Sequence, residues 1–101
     1  MTDSHIHVIF TCSCPGTPSR AKTAYRLLHP NKPTPPVLSS KQARQEYVED
    51  LPSSPAKTYL SQYVEKRHKR FAFLFVIKDT PPAPLVVDRI TNLLTGETTN
   101  L

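Results

Sequence analysis

The apolar run at residues 71–77, with the sequence FAFLFVI, constrains the fold of this chain more than any other feature. In an extended segment Phe73 and Phe75 lie on one side and Leu74 and Val76 on the other, so neither side suits water. This pattern is typical of a central strand that is covered on both faces. We therefore expect a strand over residues 71–77 in the middle of the core, entered directly from a basic stretch at residues 66–70.

The chain length of 101 residues predicts one domain, residues 1–101, with a single modest core. The sequence contains 11 prolines and 2 glycines, and the prolines divide it into short elements. Stiff proline-rich connectors are expected at residues 30–38 and 80–84. The chain should therefore consist of short helices and strands around the apolar run.

Periodicity and capping signals predict the remaining elements. A strand is expected at residues 5–11, where apolar and polar residues alternate. Helices are expected from Thr17 or Ser19 to about Leu28, over residues 39–51, from Ser54 into the basic stretch, and over residues 85–95, with a short strand at 85–87 as the alternative. The result is an α+β domain, or a small α/β domain, with two strands and about four short helices in the order βαααβα.

Two strands alone make a poor sheet, so we also consider pairing with a second copy of the chain or with another protein. No residue run has the length of a membrane span, and the apolar segment near the start lacks the features of a signal peptide. The spacing of Cys12 and Cys14 rarely suits a disulfide between them. We therefore expect an intracellular protein, cytoplasmic or nuclear, that requires no cofactor.

The segment from Cys14 to Arg20 has a cysteine, five residues and then an arginine, between a predicted strand and a predicted helix. A loop of this kind can hold a phosphate on backbone N–H groups while a thiolate attacks phosphorus. With Gly16 two residues after the cysteine, residues 6–28 resemble the opening of the low-molecular-weight tyrosine phosphatases. The resemblance implies that Cys14 is the nucleophile and Arg20 the phosphate clamp.

Other features of the same loop differ from that family. Pro15 and Pro18 remove two N–H donors, and Ala21 stands where the family has a serine after the arginine. Cys12, rather than Cys14, follows the predicted strand at the usual spacing, and no Asp-Pro general-acid motif occurs downstream. A phosphate-processing thiol enzyme is therefore the alternative interpretation of the chain.

Four potential zinc ligands, His5, His7, Cys12 and Cys14, lie within ten residues. Imidazole and thiolate groups can form a tetrahedral zinc site, but this spacing does not match an established zinc module. The simpler interpretation is two strand histidines and two loop cysteines. A metal site is therefore only a weak alternative.

The basic stretch carries the favoured functional hypothesis. The chain has a formal net charge of +5, and clustered cations attract phosphate backbones or acidic surfaces. We expect a small basic, non-catalytic binding protein that engages nucleic acid or an acidic protein partner through residues 57–70. The candidate contact residues are Lys57, Lys66, Arg67, Lys69 and Arg70.

Overall fold

The computed structural model describes residues 4–65, 70–79 and 84–101, and in these residues the chain forms five strands and three helices. In chain order the elements are β1 (Ser4–Thr11), α1 (Thr17–Leu28), β2 (Val37–Leu38), α2 (Lys41–Asp50), α3 (Pro55–Ser61), β3 (Ala72–Asp79), β4 (Val86–Asn92) and β5 (Thr98–Asn100). The expected arrangement of two strands and four helices in the order βαααβα is therefore wrong.

The strands form one mixed sheet in the order β2-β1-β3-β4-β5. Strand β2 runs parallel to β1, and the other neighbouring pairs are antiparallel. The apolar run lies in β3, between β1 and β4, and it is buried on both faces as its sequence predicts. The sheet is therefore built around a central β1–β3 pair.

Helices cover both faces of the sheet and create two apolar cores. The α1-side core consists of Ile9, Ala21, Tyr25, Ala72, Leu74, Val76 and Leu93. The α2/α3-side core consists of Val8, Phe10, Val48, Ala56, Leu60, Val64, Phe71, Phe75, Ile77 and Leu85. Alternate residues of β1 and β3 enter opposite cores, because successive side chains of a strand point to opposite faces.

The helix starts follow local capping chemistry. The Ser40 hydroxyl accepts a hydrogen bond from the Ala43 N–H at the start of α2, one residue after the predicted cap. The Ser54 hydroxyl accepts from the Lys57 N–H at the start of α3, where Pro55 occupies the first helical position. Helix α3 ends at Ser61, so it does not reach the basic stretch.

The predicted C-terminal helix is instead the strand β4, which pairs with the free edge of β3. A β-bulge shifts the register between Val76 and Ile77, so that Ile77 pairs with Val87 and Phe75 with Ile90. Val87 and Ile90 consequently pack on the same core although they are three residues apart. The bulge therefore places apolar residues three positions apart on one face of a strand. Because this spacing is also typical of a helix, the sequence pattern predicted a helix over residues 85–95.

Gly96 and the first proline-rich connector have roles in the sheet. Gly96 has a positive φ of 84°, which favours glycine, and it lies in the turn between β4 and β5. The connector at residues 30–38 ends in β2, and the Pro36 carbonyl accepts a hydrogen bond from the Ile9 N–H at 3.0 Å. Proline fits here because β2 is an edge strand. The second connector falls mostly outside the described residues.

The central strand provides the first test of this fold. Phe75 is completely buried and contacts the rings of Phe10 and Tyr63. The substitution Phe75→Asp should prevent folding, because an unpaired buried charge costs several kcal/mol, about the stability of a small domain. Circular dichroism and urea unfolding would measure this loss.

Leu27→Asp is the matched control, since Leu27 on α1 is 80% exposed. It should change the free energy of unfolding by no more than about 0.5 kcal/mol. A cooperative, native-like unfolding transition in Phe75→Asp would contradict the assignment of the core.

Candidate thiol site at the end of strand β1

The carboxyl end of β1 is where the elements on both faces of the sheet converge. Helix α1 leaves from this end on one face, and α2 lies on the other. The chain continues from Thr11 into Cys12, whose N–H donates to the Phe71 carbonyl at 3.1 Å. In α/β sheets, a crevice at such a switch point is a common location for ligand sites. The loop from Cys12 to Gly16 lies in this position.

The loop enters α1 through a sharp turn. The Thr17 N–H donates to the Cys14 carbonyl at 3.1 Å, and Gly16 has a φ of 83°, which favours glycine. Gly16 is the N-cap residue, so no side chain caps this end of the helix. The positive end of the α1 dipole is therefore directed at the loop that holds the two cysteines.

Several polar groups surround the Cys12 sulfur. Burial opposes ionisation of the thiol, but the neighbouring groups of Cys14, Phe71 and Thr17 outweigh it and lower the pKa of Cys12 to about 7. Polar groups directed at the charged form stabilise a thiolate in this way. Cys12 is therefore the more acidic of the two thiols.

Cys14 has the opposite behaviour. Its pKa is raised, chiefly because its thiol donates to Cys12, and burial acts in the same direction. The exposed Arg70 interacts with Cys14 and partly offsets this effect. Arg70, at the start of the β3 segment, is therefore a cation beside Cys14. Arg20 is exposed on the first turn of α1.

Thr17 supplies an unusual hydroxyl to the site. The residue is only 2% exposed, and its Oγ1 atom makes no well-directed hydrogen bond within the described residues. The same hydroxyl is nevertheless close enough to Cys12 to lower the pKa of its thiol. Leaving a buried hydroxyl unpaired destabilises a fold by about 1 to 3 kcal/mol. The thiolate form of Cys12 provides the acceptor that this hydroxyl otherwise lacks.

Arg44 fixes the backbone beneath the site. Its side chain is 4% exposed and donates to the Thr11 carbonyl at 2.6 Å and to the Val64 carbonyl at 3.0 Å. The guanidinium also lies over the Phe71 ring, 5.2 Å from the centroid. Burial lowers the pKa of Arg44, and the neighbouring Cys12 acts in the other direction. A buried cation on α2 thus binds the end of β1, at the residue before Cys12, and the segment that follows α3, at Val64.

The predicted basic surface is only partly within the described residues. Residues 66–69, which include Lys66, Arg67 and Lys69, lie outside them. The Lys57 amine donates to the carbonyls of Glu49 and Leu51 and so caps the end of α2. The structure therefore places Lys57 in a structural contact and Arg70 beside Cys14.

The potential zinc ligands do not form a cluster. His5 and His7 lie in the amino-terminal half of β1, whereas Cys12 and Cys14 follow its carboxyl end. Among the described residues, no group of three or more His, Cys, Asp or Glu side chains is arranged to hold a metal ion. The two cysteines are free thiols.

No protein-family model matches the chain, and neither a curated protein nor a solved structure is significantly similar to it. The resemblance to low-molecular-weight phosphatases therefore depends on the loop sequence alone. None of the helices in the described part of the chain has the length and apolar character that a membrane crossing needs.

Two contributors to this site could not be placed there from the sequence. Arg44 lies 33 residues from Thr11 in the chain, and only the packing of α2 against the sheet brings them together. Thr17 was considered as a helix cap, but Gly16 takes that position and leaves the hydroxyl next to Cys12. The one available signal for Arg44 was its place among the residues of α2 that face the core beside Val48.

Arg44→Met should destabilise the protein by about 2 to 4 kcal/mol, because it leaves the carbonyls of Thr11 and Val64 without a donor. Urea unfolding would measure the loss. Lys41→Met is the control, since Lys41 pairs with Glu65 at an exposed site and should contribute less than about 1 kcal/mol. Equal, small losses in the two variants would show that Arg44 does not secure the end of β1.

Proposed function

We propose that this chain is a phosphate-processing thiol enzyme in which Cys12, rather than Cys14, is the nucleophile. The observation that carries the proposal is the shell of polar groups around Cys12: the buried Thr17 hydroxyl, which makes no well-directed hydrogen bond within the described residues, and the neighbouring groups of Phe71 and Cys14, which together lower the pKa of the thiol. Such a shell has a cost in stability when it surrounds a neutral thiol and a benefit when it surrounds a thiolate. A structural cysteine in an apolar core does not need a surrounding shell of polar groups.

The surroundings of Cys12 favour an anionic substrate. The positive end of the α1 dipole and the exposed Arg70 both lie at this loop, although the Thr17 N–H already donates to the Cys14 carbonyl and Pro18 has no N–H. Both groups attract oxyanions, and a guanidinium can bind two phosphate oxygens at once. Arg70 therefore takes the role of phosphate clamp that the loop sequence assigned to Arg20.

In this mechanism the Cys12 thiolate attacks the phosphorus of a phosphate monoester, the P–O bond to the leaving group breaks, and that group departs as an oxyanion that takes a proton from water. Water then hydrolyses the P–S bond of the cysteinyl phosphate, which releases inorganic phosphate and regenerates the thiolate. No carboxylate is among the groups that act on either thiol within the described ranges. An aryl phosphate, whose leaving group departs without a general acid, is therefore the substrate class that this site suits best.

Thr17→Val tests the proposal with a substitution that keeps the shape of the side chain. Loss of the hydroxyl should raise the pKa of Cys12 above its value of about 7 and slow its alkylation by iodoacetamide at pH 7 by about two- to fivefold. At pH 6, where Cys12 is mostly protonated, the same variant should be more stable by about 1 kcal/mol, because an unpaired buried hydroxyl is removed.

Mass spectrometry after alkylation between pH 6 and pH 9 would distinguish Cys12 from Cys14. In the wild type, Cys12 reactivity should rise with pH through a midpoint near 7, and inorganic phosphate should protect it. Thr23→Val is the control, since the Thr23 hydroxyl is exposed and bonds only within α1. Equal pH profiles for the two cysteines, with no protection by phosphate, would refute the enzyme proposal.

The basic binding protein remains a second proposal, supported by the net charge of +5 and by the exposed position of Arg70. If Lys66, Arg67, Lys69 and Arg70 contact phosphates, replacing all four with Gln should weaken binding to nucleic acid. The salt dependence should fall by about 0.9 per lost contact on duplex DNA, or about 0.7 on single strands.

Fluorescence anisotropy over a range of salt concentrations would measure both quantities. The control is Lys22→Gln with Arg26→Gln, which removes exposed charges from α1. Unchanged affinity and salt dependence in the fourfold variant would exclude nucleic-acid binding by this stretch. Lys57→Gln should mainly alter stability, because Lys57 binds carbonyls at the end of α2.

A further inference from the structure

A second site lies at the opposite end of β1 from Cys12. Helix α1 ends at Leu28, so it leaves the start of β1 uncovered, and the following loop folds back along this face. The result is a cleft of about 270 Å³, which we call the histidine cleft. It is lined by His5, His7, Tyr25, Lys32, Pro33, Thr34 and Pro35.

The aromatic side chains of the cleft are held in place by mutual contacts. Tyr25 is 1% exposed, and its hydroxyl lies 2.7 Å from His7 Nδ1. The His29 ring packs against both, with centroids 4.9 Å from Tyr25 and 5.4 Å from His7. The Tyr25 hydroxyl can donate to a neutral His7 or accept from a protonated one. The pair can therefore persist when His7 gains a proton.

The charges around the cleft are all of one sign. Burial lowers the pKa of His7 to about 4, and the charges of Lys32, His29, His5 and Arg89 act in the same direction. Burial, Lys32 and Arg89 likewise lower the pKa of His29. No carboxylate is among the groups that act on either ring in the described part of the chain. Among the described residues, the charges that act on the two rings are thus all positive.

The sheet places one of these cations on the same face as the cleft. His7 of β1 pairs with Val76 of β3, which in turn pairs with Arg89 of β4. Directly paired residues of neighbouring strands share a face of the sheet. His7 and Arg89 therefore lie on the face that α1 leaves open, and the loop adds Lys32 from above.

We propose that the histidine cleft binds a small ligand through a dianionic tetrahedral oxyanion, a phosphate or phosphate monoester. Lys32 lines the cleft and Arg89 lies on the same face of the sheet, and both carry permanent positive charge, while His5 and His7 line the cleft and can donate hydrogen bonds to several oxygens. A carboxylate has too few oxygens and too little charge for this set. The volume lies below the range of about 300 to 1,000 Å³ that is typical of drug-sized ligands, so a small ligand is expected.

Binding of such an anion should be linked to protonation. His7 is neutral in the empty cleft at pH 7, and a bound dianion favours its charged form. The affinity should therefore rise as the pH falls. The groups that face His7 are His5 on its own strand, Tyr25 and His29 at the end of α1, Lys32 on the loop and Arg89 on β4.

Sulfate is the most direct probe, because it remains a dianion across the useful pH range. NMR titration of the histidine ring protons with sodium sulfate, at constant ionic strength, should give saturable shifts of His7 and His29. Sulfate should bind at least about threefold more tightly at pH 5.5 than at pH 7.5, and inorganic phosphate should compete with it. Shifts that do not saturate, or that sodium chloride reproduces, would overturn the proposal.

Lys32→Gln should weaken sulfate binding by about fivefold or more, since one of the two permanent cations is lost. Lys22→Gln removes the same charge from an exposed position of α1 outside the cleft and should have little effect. Equal effects of the two substitutions would mean that only net charge matters and would refute the site. Acetate binding as tightly as sulfate would also refute the dianion specificity. Neither outcome depends on the chemistry of Cys12.

Discussion

The antiparallel pairing of β1 with β3 is the interaction on which the rest of the structure depends. It extends without interruption from Ser4 and Asp79 to Thr11 and Ala72. Strand β3 is apolar on both faces, and β1 adds Val8 and Phe10 to one core and Ile9 to the other, so helices cover both sides of the pair. The pairing also sets the position of Phe71, whose carbonyl and N–H both interact with Cys12. The register of two strands therefore determines the geometry of the thiol site.

Two buried polar side chains lie at the end of β1. Arg44 places a buried cation between two backbone carbonyls, with no carboxylate partner among the described residues. Thr17 places a buried hydroxyl beside the Cys12 thiol, without a well-directed hydrogen bond in the same part of the chain. Arg44 secures two carbonyls and so supports the fold, whereas a fold selected for stability alone would replace the Thr17 hydroxyl with an apolar group. This hydroxyl is the physical reason for the proposal that Cys12 is the functional residue.

The sequence was sufficient to predict an element of the fold where one local signal dominated. The apolar run at residues 71–77 correctly indicated a central strand, and Ser54 followed by Pro55 correctly indicated a helix start. It failed where long-range pairing decides the structure. Residues 86–92 form a strand because β3 offers them an edge, and a bulge there mimics helical spacing. The two-residue strand β2 exists only because β1 lies beside it.

The candidate site shows the same division. The position of a cysteine loop between a strand and a helix could be predicted from residues 6–28. The difference in acidity between Cys12 and Cys14 could not, because it depends on neighbouring groups of Phe71 and Thr17. Arg70 and Arg44 reach the site from distant parts of the chain.

The ionisation of Cys12 in the native protein tests the central claim most directly. The ¹³Cβ chemical shifts of both cysteines, followed by NMR between pH 5 and pH 10, report each thiol separately. The account predicts a midpoint near 7 for Cys12 and a Cys14 midpoint above the ordinary range of a cysteine. Titration of both thiols together at about pH 8.5, the usual value for a free cysteine, would contradict it.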